Sequence, residues 1–262
     1  MRLEYKYLVE YNKLDRLRKE LFPFVEYDRD YNDASEYTVR SIYFDTSKLK
    51  YYHEKLNGVQ IRKKLRIRGY NQPERESVIF LEIKRKYENF INKNRSALKY
   101  YNLDELIKTK DINSFILTNN GFANALTDAE KFLHHIYKRT LRPTVLITYD
   151  REAFFSKFDK RLRLTFDKNL RYMLFPCMDE LYNDEQLNHS MPKHFIFEVK
   201  FSHGFPIWLS AILSRLNLTR MALSKYTICL EHAKLLNPTK RKSLIGLADT
   251  FSPFHTYYED FN

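Results

Sequence analysis

Residues Ile61 to Arg68 read IRKKLRIR. In an extended strand alternate side chains point to opposite faces, so Arg62, Lys64, Arg66 and Arg68 share one face. Ile61, Leu65 and Ile67 take the other, with Lys63 the exception. Cations in line at roughly 7 Å repel one another, and a solvated face usually intersperses acids among them. A polyanion lying along the face removes the repulsion, and phosphate is the anion that guanidinium and ammonium groups match best.

Other stretches repeat the layout. Val78 to Lys86 puts Phe80, Glu82, Lys84 and Lys86 on one face and Ile79, Leu81, Ile83 and Arg85 on the other. Arg161, Arg163, Thr165 and Asp167 alternate with Leu162, Leu164 and Phe166. Glu198 and Lys200 alternate with Phe195, Phe197, Val199 and Phe201, and Glu4 and Lys6 share a face near the start. An acid-x-Lys pair thus occurs three times and Arg-x-Arg twice. Any single strand of this kind fits an antiparallel sheet with one wet face. The combination points instead to a sheet whose charged face serves one ligand: an open basic sheet, or a barrel with a charged interior. In a barrel the acids hold a divalent ion that bridges phosphate oxygens, while Arg and Lys neutralise the rest.

The elements that must position these residues follow from local pattern. Strands are predicted over Leu3–Val9, Thr38–Asp45, Ile61–Arg68, Val78–Lys86, from Pro143 through TVLITYDREAFF, over Leu162–Asp167 and over Phe195–Phe201. The basic strand and Val78–Lys86 read as a hairpin across a polar turn. Helical spacing marks Asn12–Phe22 with Asn12 as N-cap, most of Asp104–Arg139 with a break near Asn119-Asn120-Gly121, Pro206–Leu216 and Lys225–Leu236. Leu49–Leu56 is ambiguous between turn and helix. Lys240-Arg241-Lys242 reads as a solvated run opening a tail, so the expected division is residues 1–237 as one domain and 238–262 as tail.

Composition sets the bounds. A chain of 262 residues with 44% hydrophobic content buries a real core, and a formal net charge of +12 implies an anionic partner. Five glycines, with neither GxxxxGK[ST] nor GxGxxG, exclude loop-amide phosphate cradles, so phosphate must be held by side chains. Cys177 and Cys229 frame neither a disulfide scaffold nor a zinc site. With no apolar run of about 18 residues, a cytoplasmic location is expected, with any membrane attachment made through a partner.

The order EYKY, RSIYFDT, LRIR, FLEIKRK, TYDREAF, RLTFD, FEVKF and LSKY resembles the VTC domain, the polyphosphate-polymerase domain of the vacuolar transporter chaperone complex. That domain is a branch of the triphosphate tunnel metalloenzymes, and the resemblance is to a stand-alone bacterial type running from about Leu3 to about Leu236. It implies an α+β fold: an antiparallel β-barrel, the triphosphate tunnel, with covering α-helices. By the same resemblance Arg66, Arg68, Lys84, Arg151 and Arg163 would act on the triphosphate, and Lys6, Lys200 and Lys225 would bind it. Lys64 and Arg161 join as substrate-binding residues from their faces. Glu198 would bind Mn2+ or Mg2+, with Glu4, Glu82 and Asp167 as secondary ligands. Two positions depart from the pattern: Arg2 stands where the superfamily often has a Glu, and Ala222 where fungal members carry a lysine.

The implied function is transfer of the ATP γ-phosphate to inorganic polyphosphate. Its rivals are triphosphate or polyphosphate hydrolysis and a non-catalytic polyphosphate-binding module working with a membrane partner. Nucleic acid is not an expected partner, because the 20 Tyr and 20 Phe lie mainly on faces opposite the cations. His134-His135 reads as a surface pair, His203 and His232 have no ligand partner at useful spacing, and Trp208 reads as a core anchor.

Overall fold

The structure, a computed structural model, describes residues 3–28, 36–74, 76–87, 90–119 and 121–233. Arg2 and the expected tail therefore lie outside the described residues. In chain order the elements are β1 (Leu3–Glu10), α1 (Leu14–Leu21), β2 (Val25–Tyr27), β3 (Glu36–Asp45), α2 (Lys50–Leu56), β4 (Ile61–Tyr70), β5 (Val78–Tyr87) and β6 (Phe90–Lys99). They continue with α3 (Leu103–Thr109), α4 (Ile112–Phe115), β7 (Ile116–Leu117), α5 (Ala125–Lys138), β8 (Arg142–Ser156), β9 (Arg163–Leu174), β10 (Asn188–His189), β11 (His194–Phe201), α6 (Ile207–Arg215) and α7 (Lys225–His232).

One antiparallel sheet runs β1-β11-β9-β8-β3-β4-β5-β6-β7, with β2 paired to β8 and β10 to β9. Glu4 and Lys6 of β1 line the same cavity as Lys84 of β5, although five strands separate β1 from β5. The sheet is therefore curled. Strand pairing does not close it among the described residues. The gap is crossed by Arg220–Ser224: Tyr7 and Arg220 form a β-bridge, Met221 N donates to Lys6 O at 2.8 Å, and Lys64 Nζ donates to Ser224 Oγ at 2.8 Å. The expected barrel is thus a curled sheet strapped shut.

The outer wall is apolar and helix-covered, as its alternation requires. Leu65, Ile67, Ile79, Leu81 and Ile83 pack under α5 and α3, while Val9, Leu164, Phe166, Phe197 and Val199 pack under α1 and α6. The inner face is divided. Val145, Ile147, Leu170, Tyr172 and Ile196 pack with Tyr226 and Leu230 of α7, and the rest is charged. α7 thus enters the concave side, which is why Lys225 through Leu230 are all buried where amphipathic spacing predicts a half-exposed helix. Asp45 anchors that end. Its carboxylate accepts Tyr51 N and Tyr52 N at the start of α2, at 2.9 and 3.0 Å, and Tyr226 OH at 2.6 Å.

Several boundaries differ from the sequence reading. α1 begins at Leu14, preceded by a 3-10 turn over Tyr11–Lys13, and Asn12 is not its cap. The 49–56 stretch is a helix from Lys50. β6 was not legible. Its outward Asn94 and Ser96 break the apolar pattern, and helix α5 takes a hydrogen bond from each: Asn94 Nδ2 donates to Asp128 at 2.7 Å and Ser96 Oγ to Ala125 O at 2.6 Å. Trp208 is half-buried and stacks on Phe24 at 4.4 Å between ring centroids.

Gly69 follows the Arg66–Arg68 pair at a tight contact. A Cβ there would collide with Tyr182 Oη and meet Tyr182 Cζ at 2.8 Å and Leu181 Cδ2 at 3.2 Å. Gly69→Ala is expected to cost about 1–3 kcal/mol by overpacking, read as a lower urea midpoint at unchanged slope. An unchanged midpoint would show that Leu181 and Tyr182 give way freely.

Candidate functional site

The charged inner face encloses a cavity of about 580 Å³. Thirteen Lys and Arg side chains line it against two carboxylates, Glu4 and Glu198. The antiparallel register explains the acid-x-Lys motifs of β1 and β11. Glu4 lies opposite Lys200 and Lys6 opposite Glu198, so the two motifs neutralise each other across the strands. Lys6 Nζ lies 3.0 Å from Glu4 and 3.4 Å from Glu198, and it donates to Leu223 O of the strap at 3.2 Å. Lys200 reaches the same two acids at 3.5 and 3.7 Å.

Arg66 and Arg68 are 6% and 8% exposed and are held from behind. Arg66 Nε donates to Glu82 at 2.7 Å and its Nη1 to Tyr43 OH at 2.7 Å. Arg68 Nε donates to Ser41 Oγ at 3.1 Å, and its Nη2 lies 3.5 Å from Tyr149 OH. Arg151 forms a bidentate pair with Asp167 at 2.5 and 2.7 Å and lies 3.5 Å from Glu198. Lys225, from the start of α7, pairs with Asp167 and, at 2.8 Å, with Glu198.

The β4–β5 register works differently. It sets Arg66 opposite Glu82 but Lys64 opposite Lys84, two cations side by side. Neither lysine has a carboxylate ion pair among the described residues. Burial, followed by Lys6, Lys55 and Arg66, drives the Lys64 ammonium well below its ordinary range. Burial and Arg66 do the same to Lys84 against the weaker pull of Glu4. An anion placed between them would restore both charges.

The structure brings together most of the predicted residues: Lys6, Lys64, Arg66, Arg68, Lys84, Arg151, Lys200, Lys225, Glu4 and Glu198 all line the cavity. Three do not. Arg161 lies in the turn before β9, exposed, its Nε on Asp159 at 2.9 Å, because strand alternation begins only at Arg163. Arg163 is turned to Asp28 at 2.7 Å and Tyr37 OH at 3.3 Å, and does not line the cavity. Glu82 is 0% exposed and surrounded by Arg66, Arg68, Lys93 and Arg95, which makes it an internal counter-ion rather than a metal donor. Asp167 is likewise consumed by Arg151 and Lys225. Sequence reading missed Tyr43, Tyr149, Ser224 and Arg220 as cavity residues. The first three are uncharged and carry no charge-patterning signal, and Arg220, stacked at 3.9 Å on Tyr5, sits in an irregular strap.

Burial alone would raise the Glu198 carboxyl, but Lys225, Lys6, Lys200 and Arg151 hold it well below the usual carboxylate range. Burial is the largest influence on Glu4 and would raise it, but Lys6, Lys200 and Lys84 together lower it. Both face the cavity ionised. No group of three or more His, Cys, Asp or Glu suited to a metal occurs among the described residues. Glu4 and Glu198 differ from Glu82 and Asp167 in lining the cavity, although each is ion-paired with Lys6 and Lys200. Ions such as Mg2+ and Mn2+ take one or two acids and complete their shell with phosphate and water.

A helix-covered antiparallel sheet curled around a cationic cavity with two ionised glutamates is the class that fold and site define. The VTC domain family model matches residues 1–234, and the chain belongs to that family. A vacuolar transporter chaperone complex subunit 4 from Trypanosoma brucei brucei is 26% identical over 156 residues, which is 51% of this chain and 19% of the relative. A solved Hippeastrum protein, described as an adenylyl cyclase with a dominant triphosphatase activity, aligns over 91% of this chain and 98% of its own at 13% identity and a TM-score of 0.47.

Burial would raise the Glu82 carboxyl, but Arg66, Arg68, Lys93 and Arg95 hold it well below its ordinary value. A depressed carboxyl contributes stability above its unfolded pKa that is lost as pH falls through the folded one. Glu82→Gln should therefore cost about 3–5 kcal/mol at neutral pH and flatten the acid limb of the stability curve. A wild-type acid limb in the variant would remove Glu82 from this role.

Proposed function

We propose that the cavity binds a triphosphate and transfers the ATP γ-phosphoryl group to the end of an inorganic polyphosphate chain. The observation that carries this reading is the excess of inward cations, above all Lys64 and Lys84, which lie side by side without a carboxylate ion pair among the described residues. A condensed phosphate supplies the missing negative charge in a line, as the strand presents the cations. Family membership supports the same chemistry.

The chain's own residues carry the transfer by position and charge. Arg66, Arg68 and Arg151, each fixed by hydrogen bonds behind the cavity, hold guanidinium forks toward the phosphoryl oxygens without further reorganisation. Lys6, Lys64, Lys84, Lys200 and Lys225 neutralise the flanking phosphates. Glu198 and Glu4 would hold Mn2+ or Mg2+, which when bound supplies neutralisation of the phosphoryl oxygens. In the transfer, the bond from the γ-phosphorus to the bridging oxygen breaks, a bond to a terminal oxygen of the acceptor phosphate forms, and ADP leaves with the bridging oxygen. The acceptor is already ionised, so no general base is required, and positioning carries the barrier.

Water in place of the acceptor gives hydrolysis by the same groups, and binding without turnover gives a polyphosphate module. The relative's place as a subunit of a complex supports a partner protein for this chain. Among the described residues no helix is long and apolar enough to cross a membrane, so membrane association in this reading is through that partner. Purified protein incubated with ATP and Mn2+ is expected to give a polyphosphate ladder on gels, reduced about 10²-fold or more in Arg66→Ala. Orthophosphate without a ladder assigns the cavity to hydrolysis, and normal turnover in Arg66→Ala overturns the site.

A further inference from the structure

Lys63 and Arg85 are the cations that interrupt the apolar outer faces of β4 and β5. They are register partners, so both side chains leave the same side of the sheet, opposite to Lys64 and Lys84. Helix α5 packs against this part of the wall, and its last turn supplies His134 and His135, followed by Arg139. The groups act on one another. Burial, then Lys63, Arg85, Arg139 and His134, push the His135 imidazole down to about 4. Burial, Arg139 and Arg85 lower the Lys63 ammonium, which Glu54 only partly offsets.

No carboxylate ion pair relieves Lys63, Arg85 or Arg139 among the described residues. Arg85 Nε is buried with no hydrogen-bond partner, an arrangement that costs stability unless an acceptor arrives. Apolar side chains at 63 and 85 would continue the packing of Leu65, Ile67, Leu81 and Ile83 without that cost. Arg85 also contributes to the cavity lining beside Lys84 and Lys86. It therefore stands where the cavity mouth meets the outer wall.

We propose that Lys63, Arg85, Arg139 and the His134–His135 pair form a second phosphate-binding site on the outer wall, reached from the cavity past Arg85, which holds the part of a long polyphosphate chain that extends beyond the cavity. The proposal rests on the cavity's binding condensed phosphate and adds the path of the chain outside it. Free orthophosphate presents the same oxygens and is the alternative occupant.

The test uses the full chain carrying Lys63→Gln and Arg139→Gln together. Neither residue lines the cavity, and both changes relieve repulsion, so the variant is expected to fold, with an unchanged thermal midpoint as the check on the loss of the Arg139–Tyr51 contact. Long-chain polyphosphate should bind the double variant about tenfold more weakly, with a shallower salt dependence, while tripolyphosphate affinity stays unchanged. In the unsubstituted protein, long-chain polyphosphate should move the His135 ring resonances toward the charged form. Unchanged long-chain affinity with tripolyphosphate binding intact overturns the outer site. An equal loss for both lengths overturns it too, and orthophosphate moving His135 as readily as the long chain assigns the site to free phosphate. Failure of tripolyphosphate to bind the unsubstituted protein counts against the cavity reading instead.

Discussion

The fold depends on solving one electrostatic problem: how to bury a line of cations. Glu82 is the centre of the solution. It is fully buried, and the four cations around it come from β4 and β6, the two strands that flank its own. An isolated carboxylate there would be prohibitively costly, and so would Arg66 and Arg95 without it. Together they lock three strands in register and leave the guanidinium groups of Arg66 and Arg68 fixed. Asp167 does the same on the other side, tying Arg151 of β8 and Lys225 of α7 to β9.

These internal anions do not neutralise everything. They fix the arginines but leave Lys64 and Lys84 facing each other, partly buried and pushed toward the neutral form. The folded protein is therefore less stable than it would be with an anion present. Each lysine whose folded pKa lies below its unfolded value costs stability at pH values below that unfolded value, and a bound polyanion reverses the shift. The strap over Arg220–Ser224 sits across this region and touches both Lys6 and Lys64, so the residues that close the sheet are also residues that surround the ligand.

Much of this was legible in the sequence because strand alternation is strict. The basic face of β4, the hairpin to β5, and the Glu4–Lys6 and Glu198–Lys200 pairs all follow from period two. What alternation cannot give is which strands become neighbours around the curl. Glu82 reads as one more inward acid until β6 supplies Lys93 and Arg95, and β6 itself is hidden because its outward Asn94 and Ser96 bond to α5. Arg161 fits the pattern of Arg163 by type, but the turn held by Asp159 delays the strand by two residues. The immersion of α7 is invisible for a related reason. A helix packed into a concave sheet is covered on several sides, whereas amphipathic spacing describes one.

The central claim is that the cavity is an anion site awaiting condensed phosphate, and thermal unfolding with added tripolyphosphate tests it most directly. At low ionic strength the midpoint should rise steadily with ligand, equivalent to about 2.7 kcal/mol at a hundredfold excess over the dissociation constant, and the rise should shrink with salt. The shift should be much smaller in a Lys64→Met/Lys84→Met variant, which itself should unfold at a higher temperature without ligand. No rise in the unsubstituted protein, or an equal rise in the variant, would contradict the account.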